Sequence, residues 1–295
     1  MGFFSEEQLR HYDEQGYILL RQAFSPQRIG SLRAAVEERG GRCELSPEAY
    51  HPAVGEWLAE ELTPMLDGLM LRSGAPARHS LFGMLSSGRG EDVRQKWHRD
   101  PIAGKEHEAK VAAGTPGELP YLRALHGQGV QFNAPLLPND SCLHIVPGSH
   151  LRASTPEQIE ATKRPNGEDP SLLPGGLVVA MQPGDICLYN FLLYHRGWNP
   201  AGPETVPRWT VHCAYWDARW PVMRHERGQH DALLTPGHLE RMPPAARQLC
   251  RRYIDSYPTD EEGHTAYTLL QSPSLLCSEA HLAVASNDND RPTPA

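Results

Sequence analysis

The middle of the chain, over residues 74–216, consists of short apolar runs separated by turns, and this pattern most restricts the possible folds. Runs such as 177–181 and 186–189 are too short for core helices, and turn sequences such as Pro183-Gly184-Asp185 separate them. The whole chain contains 27 prolines and 26 glycines, which favours many turns. Short runs bounded by turn residues are typical of β-strands. The pattern therefore predicts a mainly β core of about eight strands in a barrel or sandwich.

Helices are predicted on both sides of this core. Residues 5–15 form an amphipathic helix, which Ser5 caps with Gln8 as its capping-box partner and which Gly16 ends. The other predicted helices begin at Ser25-Pro26, cover about 53–72, and follow Trp216, and the predicted strands are 17–20, 80–85, 93–98, 129–137, 143–146, 177–181, 186–189 and 209–216. We expect one domain over 1–284, with its β core at about 79–216, a polar surface insertion at 161–175 and a disordered tail at 285–295.

Charge and cysteine content exclude several classes of protein. A formal net charge of −8 argues against nucleic-acid binding and against adhesion to anionic membranes, both of which need a basic surface. No apolar run approaches the roughly 20 residues of a spanning helix. The six cysteines form no C-x-x-C pair, which predicts reduced and mostly buried thiols. The acidic N-terminal segment resembles no secretory leader, so we expect a cytoplasmic protein whose partner is a small molecule.

The segment Trp97-His98-Arg99-Asp100 offers an imidazole and a carboxylate two residues apart. On a strand, positions i and i+2 project to one face, so His98 and Asp100 could bind one ion. With a second histidine they would complete the two-His, one-carboxylate set of non-haem Fe(II) sites. The same H-x-D pattern at His11 and Asp13 lies in the predicted first helix, where such positions diverge, and we do not assign it to a metal.

A second histidine and an anion receptor follow at a distance. His195 comes shortly after the predicted strand 186–189, and Arg208 lies 13 residues further along, at the start of an apolar strand. Arg208 and Thr210 alternate onto one face of that strand. A guanidinium beside a hydroxyl suits a carboxylate bound inside a β core.

These pieces together resemble the phytanoyl-CoA dioxygenase family, which comprises Fe(II)- and 2-oxoglutarate-dependent oxygenases on a double-stranded β-helix, a jelly-roll and cupin-like fold. The matching segments are Tyr12 to Leu20, Trp97 to Asp100, Cys142 to His150 (CLHIVPGSH), Gly184-Asp185, His195 and Arg208, in the family's order. The resemblance covers about residues 8–216. The Pro-Gly-Ser-His stretch is far more specific than H-x-D alone.

The resemblance implies a role for each matching position. His98, Asp100 and His195 would bind Fe(II). Arg208 would pair with the distal carboxylate of 2-oxoglutarate, with Thr210 assisting. O₂ would be the second cosubstrate.

Other positions near these motifs have weaker assignments. Gln95 is a further expected cosubstrate contact, with Lys96 as its competitor, and we expect a structural role for His150. The chain has Asp140-Ser141 where the family often has Asn-Gly, which we expect to alter a turn and to leave the metal site unchanged. Halogenases of the wider group have Ala or Gly in place of the metal-binding carboxylate, so Asp100 favours oxygen transfer.

The expected reaction is hydroxylation of an unactivated C–H bond of a small polar or secondary metabolite, with release of succinate and CO₂. Candidate residues for the rim of the substrate pocket are Arg94, Arg99, His107, Tyr121, Arg123, His126, Trp198 and His212. Two alternatives stay open from the residues alone. One is a cupin-like isomerase or hydrolase that uses Zn²⁺ or Mn²⁺, and the other is a non-catalytic binding protein on the same fold.

Overall fold

The first helix begins and ends at the residues that its sequence predicts. Helix α1 (Glu6–Gln15) is capped by Ser5, whose hydroxyl accepts from the Gln8 amide while the Gln8 side chain accepts from the Ser5 amide. The helix ends at Gly16, which has a left-handed φ of 81°. A Cβ at this position would lie 2.7 Å from Nδ1 of His150. Glycine is therefore required here by both the backbone conformation and the available space.

The computed structural model describes residues 3–38, 52–70, 77–87, 92–100, 113–127, 129–202 and 207–217, with the single positions 240, 244 and 247. The other helices are α2 (Pro26–Glu38), α3 (Pro52–Glu56), α4 (Thr63–Met70), α5 (Glu118–Leu125) and α6 (Pro156–Lys163), with a π-helical segment at Trp57–Leu62 and a 3-10 turn at Ser149–Leu151. The strands are β1 (Tyr17–Leu20), β2 (Ala77–Ser87), β3 (Val93–Arg94), β4 (Gly129–Pro135), β5 (Asp140–Val146), β6 (Leu177–Met181), β7 (Ile186–Tyr189), β8 (Tyr194–Asn199) and β9 (Arg208–Asp217).

These strands form two antiparallel sheets. The larger sheet has the strand order β1-β7-β4-β9-β2, and the smaller has β3-β8-β5-β6. Strand β9 pairs with β4 on one side and with β2 on the other. Because β9 lies inside the sheet, the alternation of its side chains between the two faces is fixed by partners on both sides.

The helices cover one face of the larger sheet. Val130, Phe132 and Ala134 of β4 alternate along the strand and pack in one apolar core with the helices. Trp57 lies at the centre of this core, fully buried, with its ring edge-on to Phe132 at 6.1 Å and to Phe24 at 5.1 Å. Burial of large aromatic side chains in this arrangement holds the helices against the sheet.

The opposite face of the larger sheet points towards the smaller sheet. One part of the space between the sheets is apolar, where Leu143 and Val179 of the smaller sheet pack with Tyr189 of β7. The other part is polar and is lined by the alternate residues of β4 and β9, namely Gln131, Asn133, Arg208, Thr210 and His212. A row of polar side chains inside a β core requires partners or a ligand.

The mainly β prediction is confirmed in part, because the described chain has two antiparallel sheets together with several helices. Each of the seven predicted central strands has a counterpart, but β3 ends at Arg94 instead of reaching 98. Strand β8 and helices α5 and α6 were not predicted. The predicted surface insertion at 161–175 begins inside α6, which a capping box of Thr155 and Gln158 starts.

Three of the six cysteines lie among the described residues, and all three are free and buried, as predicted: Cys142, Cys187 and Cys213. Burial raises the pKa of the Cys142 thiol to about 12. In the described part of the chain, no helix combines the length and the apolar character needed to cross a membrane. Positions 240, 244 and 247 are helical. The rest of the predicted C-terminal helices and the tail at 285–295 lie outside the described residues, and the single-domain assignment over 1–284 stays a prediction.

Candidate metal centre

Backbone pairing between the His98 segment and β8 brings the three predicted ligands together. The His98 amide donates to the His195 carbonyl at 3.1 Å, and the His195 amide donates to the His98 carbonyl at 2.9 Å. The Asp100 amide donates to the Phe191 carbonyl at 3.2 Å. Nε2 of His98 and Nε2 of His195 each lie 3.7 Å from a different carboxylate oxygen of Asp100. One candidate ligand atom from each side chain lies within 4.8 Å of the others.

Both imidazoles are oriented by backbone carbonyls. Nδ1 of His98 lies 2.9 Å from the Lys96 carbonyl, and Nδ1 of His195 lies 2.9 Å from the Leu193 carbonyl. A carbonyl can only accept, so each Nδ1 carries the proton and each Nε2 lone pair is free for a metal. Burial, together with the neighbouring imidazole of His98, lowers the pKa of His195 to about 4. Two neutral imidazole nitrogens and one carboxylate form the donor set that non-haem Fe(II) uses, so these residues fit that ion.

Gln131 holds the carboxylate in this arrangement. Its Nε2 donates to Oδ2 of Asp100, and its side chain is almost fully buried on β4. Burial alone would raise the pKa of Asp100, but His195, His98 and the hydrogen bond from Gln131 outweigh burial and lower it. Oε1 of Gln131 has no hydrogen-bond partner among the described residues. Gln131 was not predicted as a site residue, although its alternation with the apolar residues of β4 indicates an inward polar position.

Arg208 and Thr210 lie together on β9 and share one partner, Asp140. Nε of Arg208 donates to Oδ2 of Asp140 at 3.1 Å, and the Thr210 hydroxyl donates to the same oxygen. The side chains of Arg208 and Asp140 are only 5% and 3% exposed. Burial would raise the pKa of Asp140, but the Arg208 charge and the hydrogen bonds from Thr210 and Cys142 outweigh burial and lower it. The result is a buried, hydrogen-bonded ion pair beside the polar part of the space between the sheets.

A bulge in β5 explains how Asp140 reaches this pair. Asp140 pairs with Met181 and Leu143 with Val179, so three residues of β5 span the distance of two residues on β6. Positions three apart on a regular strand point to opposite faces. The extra residue allows Asp140 to share the inner face with Leu143. Asp140-Ser141, which stands where the phytanoyl-CoA dioxygenases often have Asn-Gly, lies at this bulge. The Asp140 carboxylate supplies the charge that pairs with Arg208.

Arg99, between the two ligands of its segment, points away from the metal and anchors the segment. Its guanidinium pairs with the fully buried Glu118 of α5, and it donates to the Ser149 carbonyl at 2.6 Å. It also lies over the ring of Tyr194 at 4.3 Å. Arg99 was predicted as a pocket-rim candidate, and its buried ion pair with Glu118 removes it from that set.

The cosubstrate candidates before the first ligand lie at the edge of the smaller sheet. Gln95 is exposed, and its side-chain oxygen accepts from the Gly197 amide at 2.7 Å, so the side chain joins β3 to β8. Lys96 is also exposed. His150 is fully buried, with Nε2 3.2 Å from the Asp13 carbonyl, which suits the structural role expected for it. The H-x-D pattern at His11 lies on α1, with His11 exposed.

The remaining rim candidates are dispersed. Arg94 pairs with Asp92, and Trp198 stacks on Arg196. Tyr121 packs against the apolar cluster around Leu122, and Arg123 is exposed. The ring of His126 lies 5.3 Å from that of His150. His107 lies outside the described residues. Of the candidates within the described ranges, His212 is the one on the inner face of β9, among the polar residues that line the space between the sheets.

Several solved structures share this arrangement of sheets and helices. The carbocyclase SnoK from nogalamycin biosynthesis, a non-haem α-ketoglutarate-dependent enzyme, is 21% identical with a TM-score of 0.51, over 82% of this chain and 92% of its own. HygX from Streptomyces hygroscopicus, solved with nickel and 2-oxoglutarate, is 17% identical with a TM-score of 0.54, over 75% and 90%. EctD from S. alaskensis, solved with 2-oxoglutarate and 5-hydroxyectoine, is 17% identical with a TM-score of 0.53, over 74% and 77%. The chain has their fold. No family model and no curated protein matches the sequence.

Proposed function

We propose that the protein is an Fe(II)- and 2-oxoglutarate-dependent oxygenase of the phytanoyl-CoA dioxygenase type, built on a double-stranded β-helix. Its reaction is hydroxylation of an unactivated C–H bond of a small polar or secondary metabolite, with release of succinate and CO₂. The observation that carries the proposal is the His98, Asp100 and His195 cluster, with Arg208 facing the same space. Tyr189 lies near both groups: burial raises the pKa of its hydroxyl, the Asp100 charge adds to that shift and the Arg208 charge opposes it.

The protein supplies ligands, orientation and shelter, whereas the iron and cosubstrate, when bound, supply the oxidising chemistry that activates O₂. His98, Asp100 and His195 would hold the ion, and Gln131 fixes the Asp100 carboxylate by donating to its Oδ2. Such supporting hydrogen bonds set ligand orientation in metal sites. The retained carboxylate of Asp100 favours oxygen transfer over halogenation.

Arg208 is the receptor for the distal carboxylate of 2-oxoglutarate. A guanidinium has five N–H donors, and one of them, on Nε, is used by Asp140, which leaves donors at the other end for a ligand. The Thr210 hydroxyl gives its hydrogen to Asp140. Thr210 therefore assists by holding Asp140 and Arg208 in place, and Gln95 has no part in the proposal.

The solved structures support the class and leave the reaction type open among its members. SnoK is described as a carbocyclase, and EctD was solved with 2-oxoglutarate and the hydroxylated compound 5-hydroxyectoine. Arg208, as a carboxylate receptor in the same space as the His98, Asp100 and His195 side chains, also speaks against the cupin-like hydrolase or isomerase, because such an enzyme has no carboxylate cosubstrate to bind. We propose a small-molecule substrate and a cytoplasmic location, with no nucleic-acid or membrane partner.

The test is an anaerobic titration of the metal-free protein with Fe(II) and then with 2-oxoglutarate, followed by visible absorption. We expect the weak metal-to-ligand charge-transfer band of the chelate. His98→Ala should abolish the band, and its matched control is His11→Ala, which changes the same H-x-D pattern on an exposed helix. Arg208→Ala should require far more 2-oxoglutarate for the same band, with Arg164→Ala, a surface arginine, as its control.

Each alternative gives a distinct result. Iron binding without the band would support the cupin-like enzyme. A band without any succinate formation in the presence of O₂ would support a binding protein. An unchanged band in His98→Ala would contradict the ligand assignment.

A further inference from the structure

The two histidine ligands meet at a short backbone pairing that a regular strand does not extend. His98 and His195 form an isolated antiparallel bridge of two hydrogen bonds, and β3, which precedes it, ends at Arg94. The next backbone bond towards β3 joins the Gln95 amide to the Gly197 carbonyl. Because this bridge places the two imidazoles side by side, whatever holds it closed also sets the spacing of two metal ligands.

The residues beside the two histidines form two cation–π pairs. Neighbouring residues of an extended chain project to opposite faces, so these side chains lie behind the imidazoles. In an antiparallel bridge, the position before one histidine stands opposite the position after the other. Arg196 accordingly lies over the ring of Trp97 at 4.6 Å, and Arg99 lies over the ring of Tyr194 at 4.3 Å. Each segment thus contributes one arginine and one aromatic ring, and the two pairs flank the bridge on both sides.

Arg196 is a fully buried cation that has carbonyls and aromatic rings as its partners. Its guanidinium donates to the carbonyls of residues 169–171 at 2.6 to 3.0 Å and, through Nε, to Nδ1 of His144 at 3.2 Å. The Asp169 carboxylate pairs with Arg164 instead. A cation–π contact is stronger when both groups are removed from water, as they are here.

We propose that the two cation–π pairs act as a clip, which holds the bridge closed and so positions the two imidazoles for the metal. The four residues of the clip are positioning residues, since they face away from the ion and act through His98 and His195. The inference rests on the proposed function for the identity of the metal. The closed bridge does not, because it belongs to the metal-free chain.

The bridge is tested first, in the metal-free protein, by amide hydrogen exchange followed by NMR. In the wild type, the His98 and His195 amides should be protected without any metal. Unprotected amides would overturn the proposal, and this result does not depend on how any variant folds.

Two variants of Trp97 then test the aromatic face. In Trp97→Leu, exchange of the His98 and His195 amides should become about 10- to 30-fold faster, which corresponds to the loss of one buried cation–π contact. The amides of β4 in the larger sheet are the internal reference, because they report any global loss of stability. Trp97→Phe keeps a ring beneath Arg196 and should stay close to wild type. If Trp97→Leu accelerated the bridge amides no more than those of β4, the clip would be refuted.

The effect on the metal is tested by anaerobic titration with Fe(II) alone, under conditions in which circular dichroism shows every variant to be folded. Trp97→Leu and Arg196→Met should each bind Fe(II) about 10- to 100-fold more weakly, as for other residues that support metal ligands. The double variant should bind no more weakly than the weaker single variant, because both changes remove the same contact. Leu32→Ala is the control, since it destabilises the helix-side core and should leave Fe(II) affinity unchanged.

Each other outcome has a definite meaning. Wild-type Fe(II) affinity in either single variant, additive losses in the double variant, or an equal loss in Leu32→Ala would overturn the positioning role. Absence of Fe(II) binding to the wild type would instead contradict the proposed function, while hydrogen exchange would still decide whether the clip holds the bridge.

Discussion

Replacing Asp140 with alanine should destabilise the protein by about 3–5 kcal/mol, the usual effect of removing one partner from a buried ion pair. The magnitude follows from the contacts. Asp140 accepts from Nε of Arg208 at 3.1 Å, from the Thr210 hydroxyl and from the Cys142 amide at 2.9 Å. Alanine removes all three acceptor contacts and leaves Arg208, 5% exposed, without its counter-charge. Asp140→Asn keeps acceptor oxygen but loses the charge, so its effect should fall between wild type and alanine.

The assay is urea unfolding at neutral pH, with the free energy of unfolding compared at a constant denaturant slope. Glu160→Ala is the matched control, because Glu160 pairs with Lys163 at 3.9 Å and both side chains are largely exposed. Its effect should stay within about 0.5 kcal/mol. If Asp140→Ala were no more destabilising than Glu160→Ala, the assignment of a buried pair between β5 and β9 would be refuted.

The lowered pKa of Asp140 also predicts how the stability of the protein depends on pH. The pKa of Asp140 is lowered in the folded protein, so its contribution to stability is present above the unfolded pKa and is lost as the pH falls through the folded value. The difference in unfolding free energy between wild type and Asp140→Asn should therefore shrink under acidic conditions. A difference that grows on acidification would contradict the direction of the shift.

Three further perturbations test other parts of the structure. Gln131→Leu removes the hydrogen bond to Asp100 and should weaken Fe(II) binding about 10- to 100-fold in anaerobic titration, since supporting residues commonly have effects of that size. Glu118→Gln neutralises the partner of Arg99. Because Arg99 anchors the ligand segment, this change should lower both the unfolding free energy and the Fe(II) affinity. A loss of stability with unchanged Fe(II) binding would contradict the anchoring role. His144 is buried, and burial followed by the Arg196 charge lowers its pKa to about 4. Because the unfolded chain binds that proton at higher pH, stability should fall as the pH drops from about 6.5 towards 4, and His144→Gln should reduce this slope.

Local patterns in the sequence predicted the parts of the site that depend on local structure. The H-x-D segment, His195 and Arg208 were identified by residue type and order, and the capping box of α1 by spacing. Gln131 was missed because the alternation of Gln131 and Asn133 with the apolar residues of β4 indicates an inward polar face but not which of these side chains contacts Asp100. The pairing of Asp140 with Arg208 was missed for a related reason, since the predicted strand began at Leu143 and left the bulge outside it.

The register of β9 determines which of its side chains face the candidate site. Val211 and Cys213 face the helix-side core, while Arg208, Thr210 and His212 face the space between the sheets. A slip of one residue would exchange these two sets, burying a guanidinium against the helices and placing apolar side chains beside the metal ligands. Pairing with β2 and β4 on both sides prevents such a slip. The bulge adds one residue to β5 between Asp140 and Leu143. Without it, the regular alternation would point the Asp140 carboxylate away from Arg208.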